Sequence, residues 1–297
     1  MTTLRTRRAR RPVLLLPALL TAAALATAGP TPAAEAAAPK RIVALTPFAA
    51  NTLAGLGVKP VAIGETPGGR DRFSPKLEGV ETLTLSHPNG PNMEELAVLN
   101  PQLVLSSPTW AKGAKTMRDL EIDVVDSDPR SVEDVFAQTR RIGRIAGKAD
   151  AGRKLATRLR KEVAKARMGI ARRPRVLLVL GVGRTPFVFL PNSWGGDLVT
   201  KAGGRLVTAD AESRSGFARI SDEAILAANP DVILAIPHAN SDDIPEIAKF
   251  LRANPAWKDS KAVRNGRLHV STDNSLLQAG TDVARVIRKL RRSYLGN

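Results

Sequence analysis

The chain is 297 residues long, 43% hydrophobic and 25% charged, has no cysteine and carries a formal charge of +17. That length supports one large domain or two lobes with real cores, and the apolar content excludes a disordered polymer. Without thiols there is no disulfide framework, thiolate metal site, cysteine nucleophile or lipid-modified cysteine, so the chain is not expected to be a lipoprotein.

In chain order, residues 1–36 read as a secretory signal. Arg5, Arg7, Arg8, Arg10 and Arg11 form a basic start, an apolar run covers 13–28, and Ala34-Glu35-Ala36 offers a small-residue cleavage site. Pro17, Pro30 and Pro32 leave that run short and weak for a membrane span. Cleavage removes five arginines and Glu35, leaving +13 over 261 residues. Such a charge favours anionic partners, an anionic envelope surface among them. Nucleic acid is disfavoured, because aromatics make up only 4% of residues and no helix-turn-helix, RNP or zinc-finger spacing occurs. The expected location is beyond the cytoplasmic membrane, periplasmic or at the cell surface.

The remainder alternates short apolar runs with helix-length amphipathic segments. Strands are expected at 41–45, 61–63, 103–106, 123–125, 175–180, 188–190, 232–235 and 268–270, most of them rich in Val, Ile and Leu. The class is therefore α/β with mainly parallel sheets. Ser131 and Asp134 form a capping box before one helix, and a second, Lys- and Arg-rich helix follows Gly147 with Ala151, Leu155, Leu159 and Val163 on one stripe.

The two halves echo each other. Glu94-Glu95-Leu96-Ala97-Val98-Leu99-Asn100-Pro101-Gln102-Leu103-Val104-Leu105 lies over Glu223-Ala224-Ile225-Leu226-Ala227-Ala228-Asn229-Pro230-Asp231-Val232-Ile233-Leu234 at a constant offset of 129 residues. Each copy reads as a short helix, an Asn-Pro stop and a buried strand. Two Rossmann-like lobes, residues 37–148 and 171–297, bridged by one long helix at 149–170, account for this pattern.

Enzyme signatures are missing. There is no G-x-S-x-G elbow, phosphate loop or H-E-x-x-H, and Gly181-Val182-Gly183 lacks the third glycine of a dinucleotide site. His87, His238 and His269 lack the carboxylate spacing of a zinc or manganese site. A non-enzyme is expected.

Residues Pro39 to Pro47, Leu56-Gly57-Val58-Lys59-Pro60-Val61-Ala62-Ile63-Gly64, and Asn92-Met93-Glu94-Glu95-Leu96 leading to Asn100-Pro101-Gln102-Leu103-Val104 resemble the substrate-binding proteins of ABC importers for ferric siderophores, haem and cobalamin. The resemblance covers essentially all of 39–295 and implies a class III periplasmic-binding-protein-like fold with cargo between the lobes. One departure is Asn51, where a family member often has Glu. Ser86-His87-Pro88-Asn89-Gly90-Pro91-Asn92, Asn192-Ser193-Trp194-Gly195-Gly196-Asp197, the strand ending near His238, and Trp257 with the stretch from Ala262 to Arg267 are most similar to the haem-binding receptors of Gram-positive haem uptake.

That likeness implies haem as cargo, with cobalamin or a ferric siderophore as the alternative, delivered by a monomer to an ABC transporter permease dimer. It carries the axial histidine of the C-lobe onto His238. Asn89 occupies the slot of the family's N-lobe methionine, so His87 or Met93 becomes the candidate second axial ligand. Trp110 and Trp194, in loops after strands, are expected to wall the cleft, whereas Trp257 is expected to pack in the C-lobe and Tyr294, near the chain end, to take no part. Asn92 and Ser221 read as N-caps, which puts Glu94 and Glu223 at matching places on the two lobes. In the family such glutamates meet the permease subunits. An exported α/β enzyme and a basic adhesion module are the remote alternatives.

Overall fold

Strands that are apolar on both sides form where helices cover both faces of a sheet, and side chains alternate between those faces. The computed structural model describes residues 38–66, 72–181, 186–208, 213–236, 244–255, 257–271 and 274–296. In the N-terminal half, β1 (Ile42–Ala44), β2 (Ala62–Glu65), β3 (Glu81–Thr84), β4 (Leu103–Ser106) and β5 (Asp123–Asp126) form a five-stranded sheet in the order β3-β2-β1-β4-β5, parallel throughout. The helices of this half are α1 (Pro47–Gly55), α2 (Met93–Val98), α3 (Ala111–Asp119) and α4 (Val132–Ile145).

An 18-residue helix, α5 (Ala149–Ala166), then leads to the second half. It ends short of the expected 170, because Arg167 closes the last turn and Gly169 takes a left-handed φ of 68°. The second sheet contains β6 (Arg175–Leu180), β7 (Phe187–Phe189), β8 (Arg205–Leu206), β9 (Phe217–Arg219), β10 (Val232–Ile236) and β11 (Leu268–Val270), in the order β11-β10-β6-β7-β9 with β8 beside β6. Its helices are α6 (Trp194–Lys201), α7 (Asp222–Ala228), α8 (Ile244–Ala253), α9 (Lys261–Arg264) and α10 (Val283–Lys289). This sheet is mixed: β7 runs antiparallel to both β6 and β9.

The 129-residue echo is structural. α2 and α7 are each followed by an asparagine in the left-handed region, Asn100 at φ 45° and Asn229 at φ 42°. At the next position but one, Gln102 accepts the amides of Lys40 (2.7 Å) and Arg41 (3.2 Å), and Asp231 accepts the amide of Arg175 (2.8 Å). Each half thus pins the start of its central strand with the side chain that precedes the neighbouring strand.

Alternation sorts the core into three. Ile42, Ala44, Leu103 and Leu105 of the first sheet and Val176, Leu178, Val232 and Leu234 of the second face one continuous cluster, together with Leu155, Leu159 and Val163 of α5 and Val283, Val286 and Ile287 of α10. The opposite face of the first sheet, with Val43, Leu45 and Val104, packs against Leu96 of α2 and Met117 of α3. The opposite face of the second, with Leu177, Val179, Ile233 and Ala235, packs against Ile225 of α7, Leu251 of α8 and Ala262 of α9. Hence α5 belongs to the core of both lobes. It lies against α4 at the crossing of Gly143 and Gly152, where a Cβ on either glycine would sit 2.8–2.9 Å from the other's Cα.

Candidate ligand site

In an open parallel sheet, ligands meet the chain beyond the carboxyl ends of the strands, where the strand order reverses. In the first sheet that point lies between β1 and β4. Thr46, past β1, is buried and accepts the amide of Ala49 (3.2 Å), capping α1. Ser107, past β4, caps the short 3-10 turn Pro108–Trp110 and donates to Asp128 Oδ2 (2.9 Å) past β5. Burial pushes the Asp128 carboxyl up from 3.8 to about 7 and Asp126 adds to that, while the Ser107 hydrogen bond and the charges of Arg72 and Arg130 pull it back. Ser106 Oγ, Trp110 Nε1, Asp128 Oδ1, Arg72 Nε and Gln278 Oε1 are buried without a hydrogen-bond partner among the described residues.

Arg72 spans the two halves. Its guanidinium donates to the backbone carbonyls of Gln278 (2.5 Å) and Asn274 (3.3 Å) and meets Asp282 Oδ1 at 3.4 Å, with the side chain 4% exposed. Asn51 on α1 fixes the segment that carries it, donating to the Arg72 carbonyl (2.7 Å) and accepting the Ser74 amide (2.7 Å). A carboxylate at position 51 could accept from Ser74 but could not donate to that carbonyl. Gln278 also donates to Thr66 Oγ1 at 3.1 Å, and on α6 Asp197 accepts the first helical amide of α4, that of Val132, at 2.7 Å. These ties run between residues far apart in sequence, so no local pattern announces Arg72, Asp128 or Gln278.

The sequence-predicted residues fall in several places. His238 lies outside the described residues. Ser86 and Gly90 exchange two backbone hydrogen bonds of 2.8 and 2.7 Å, which turns the chain tightly past β3 and exposes His87 and Asn89. The His87 ring meets the Trp110 ring edge-on, with centroids 6.2 Å apart. The Asn89 carbonyl rests on Gly113 of α3, where a Cβ would come within 1.9 Å of it. Met93 opens α2 half-buried against the core on that side of the sheet, so it is oriented by packing.

The tryptophans are more enclosed than cleft walls need to be. Trp110 is 4% exposed within the α2–α3 core. Trp194 is 7% exposed in the shared core, and its indole N–H is donated to the Ser275 carbonyl at 2.8 Å, so it braces the turn Asn274–Leu276 that receives Arg72. Trp257 packs in the core beneath α7, where its N–H reaches Asp222 at 3.4 Å. His269, on β11, meets the Tyr294 ring at a tilt of 57° with centroids 5.1 Å apart, and burial together with Arg267 and Arg252 lowers its pKa.

Glu94 and Glu223 are both exposed at the second position of their helices, after Asn92 and Ser221, whose side chains accept the amides of Glu94 (2.8 Å) and Ala224 (3.2 Å). A backbone hydrogen bond and the Ser221 hydroxyl hold the Glu223 carboxyl below its usual value. No group of three or more His, Cys, Asp or Glu suited to a metal occurs among the described residues, and none of their helices is long and apolar enough to cross a membrane.

The arrangement can be set beside known proteins. The chain is 26% identical over 263 residues to a cobalamin-binding protein of Halobacterium salinarum, covering 86% of this chain and 69% of that one. A 97-residue stretch is 34% identical to the high-affinity heme uptake system protein IsdE of Staphylococcus aureus, 32% of each chain. The structure of S. aureus IsdE complexed with heme superposes with a TM-score of 0.72 at 24% identity, covering 86% of this chain and 98% of that one. An ABC transporter substrate-binding protein from Listeria monocytogenes gives a TM-score of 0.78 at 22% identity, covering 88% and 100%. The family model described as periplasmic binding protein matches residues 42–274. With two α/β lobes, a shared bridging helix and this match over most of its length, the chain belongs to the periplasmic binding protein family.

Proposed function

We propose that the chain is an exported substrate-binding protein that takes up haem between its lobes and presents it to an ABC importer. The observation that carries this reading is His87: an exposed imidazole on a tight turn past the carboxyl edge of the first sheet, set edge-on to Trp110. Haem needs apolar walls and an axial nitrogen or sulfur, and a neutral imidazole supplies the nitrogen. His238, on the likeness to haem receptors, takes the other axial position. Of the remaining N-lobe candidates, Met93 is held in packing and the Asn89 amide is a poor iron ligand, so His87 is preferred. The 97-residue likeness to IsdE supports haem.

The second reading keeps the fold and changes the cargo to cobalamin, because the relative matched over 86% of this chain is a cobalamin-binding protein. An absorbance titration separates the two. Haem should shift and sharpen its Soret band on binding, His238→Ala should weaken binding at least about tenfold, and His87→Ala should change the spin-state bands with less loss of affinity. Retention of cobalamin through gel filtration with no Soret shift would overturn the haem reading.

Delivery is assigned to the two lobe tips. Glu94 and Glu223 stand beside exposed aliphatic side chains on their own short helices, Val98 at 86% and Leu226 at 45% exposure, so each tip offers a carboxylate and an apolar contact. Charge-assisted pairing with arginines on two permease subunits would orient the receptor. The same reading takes residues 1–36 as a cleaved signal and the folded protein as periplasmic or surface-held. Glu94→Ala with Glu223→Ala should leave cargo affinity unchanged and reduce uptake through the cognate importer more than either change alone. Full transport by the loaded double variant would reduce both to helix-start residues.

A further inference from the structure

The charges of the folded unit are segregated. Residues 140–175 hold fourteen lysines and arginines against Asp150 and Glu162, and residues 285–292 hold five against no acid. Those two segments carry +17, so the rest of 37–297 sums to −4. They build the outer surface of α4, α5 and α10, where α5 packs along both neighbours. Arg291 locks the end of α10 to the end of α5 by donating to the carbonyls of Ala166 (2.5 Å), Met168 (2.8 Å) and Gly169 (3.0 Å). The glutamate-bearing α2 and α7 lie on the other faces of the two sheets, against separate cores.

Along α5, Lys154, Arg158, Lys161 and Lys165 recur at spacings of four, three and four residues and all are exposed, a single stripe roughly opposite the buried Leu155, Leu159 and Val163. The 18-residue helix is about 27 Å long, and the stripe from Lys154 to Lys165 runs along about 17 Å of it. Arg158 approaches Glu162 at 3.9 Å, while Lys154, Lys161, Lys165, Arg288 and Arg292 have no acidic partner among the described residues. Like charges crowded on one layer repel and destabilise the fold, and solubility does not require that crowding, since charges scattered over the surface would serve it.

We infer that this layer docks a linear polyanion, a polyphosphodiester chain of the cell envelope lying along α5. A bilayer fits the layer less well. A membrane-surface helix sets large apolar side chains beside its basic ones. On α5 and the residues just after it, the only large exposed apolar group is Met168, at 72% exposure. A receptor lying on lipid through this layer would also turn α2 and α7 away from the membrane. With a polymer along α5, both tips stay accessible. The inference is independent of which cargo is bound.

Long-chain inorganic polyphosphate is the probe, with the full chain titrated by fluorescence anisotropy between 50 and 200 mM salt. The variant Lys154→Gln/Arg158→Gln/Lys161→Gln/Lys165→Gln should bind at least about tenfold more weakly at the lower salt, with a salt dependence shallower by about two to three in logarithmic slope. A control variant with the same loss of charge on the opposite faces, Lys112→Gln/Lys115→Gln/Lys249→Gln/Lys258→Gln, should stay within about threefold of the parent. Circular dichroism and thermal unfolding establish that both variants are folded. Equal losses in the two variants would reduce the effect to net charge and overturn the assignment. Flotation with anionic but not neutral vesicles, lost in the α5 variant and not competed by polyphosphate, would overturn it in favour of a lipid surface.

Discussion

A carboxyl group held in a largely desolvated site beside one hydroxyl is ionised at neutral pH only against its surroundings, and Asp128 is in that position. Its folded pKa, about 7, lies above the ordinary 3.8, so between those values the folded chain binds more protons than the unfolded one. The contribution of this group to stability therefore declines as pH rises through that window and is level above it. Asp128→Asn keeps an acceptor for the Ser107 hydroxyl and removes the charge. The variant should be more stable than the parent by about 1–2 kcal/mol at pH 8, a gap that closes as pH falls toward 4, as followed by urea unfolding at each pH. Arg72 is the converse case: Arg72→Met would strip the part-buried Gln278 carbonyl of its donor and Asp282 of a cation, while the Asn274 carbonyl keeps the amides of Leu277 and Gln278. A loss of about 2–4 kcal/mol in the same assay is expected, and a loss under about 0.5 kcal/mol would mean that the guanidinium does not tie the halves.

At the scale of elements, the crossing of α4 and α5 is the most sensitive point, because backbone approaches backbone there. Gly152→Val would drive a side chain into the Gly143 Cα and the Thr139 carbonyl, 2.9 and 3.3 Å from the position of a Cβ. The substitution should lower the unfolding free energy by about 2–3 kcal/mol through forced separation of the helices. Gly79→Ala, at a turn with open space but φ of 69°, should cost about 1 kcal/mol from conformation alone. The elements legible in the sequence are those built on Leu and Val: β4, β6 and β11 keep the expected bounds, 103–106, 175–180 and 268–270, although β4 ends on Ser106, β6 starts on Arg175 and His269 interrupts β11. β3 escaped because Glu81-Thr82-Leu83-Thr84 shows one buried apolar residue on an edge, and β8 and β9 are two and three residues long. The α2 and α7 tips were legible through their caps and their repeat. The Arg72, Asp128 and Gln278 cluster was not, since its members come from separate loops that only the tertiary fold assembles. The polar turn around His87 was legible as chemistry, but whether His87 or Met93 faces outward is decided by packing on α3.

At the scale of the whole molecule, both sheets and α5 contribute to one hydrophobic cluster, so the halves are not separate cores joined by a linker. Unfolding of residues 37–297 should accordingly be a single cooperative transition with coincident probes from the two halves. Two resolved transitions in calorimetry would contradict a shared core. The connection between α5 and β6 adds a consequence. Arg167, Met168, Gly169, Ala171, Arg172 and Arg173 are exposed there, whereas the stripe of Leu155, Leu159 and Val163 just before it is buried between the halves. A protease that severs this connector would cut the covalent chain without separating its products. The fragments should co-elute as a native-sized particle and part only in denaturant, because α5 remains a wedge gripped from both sides.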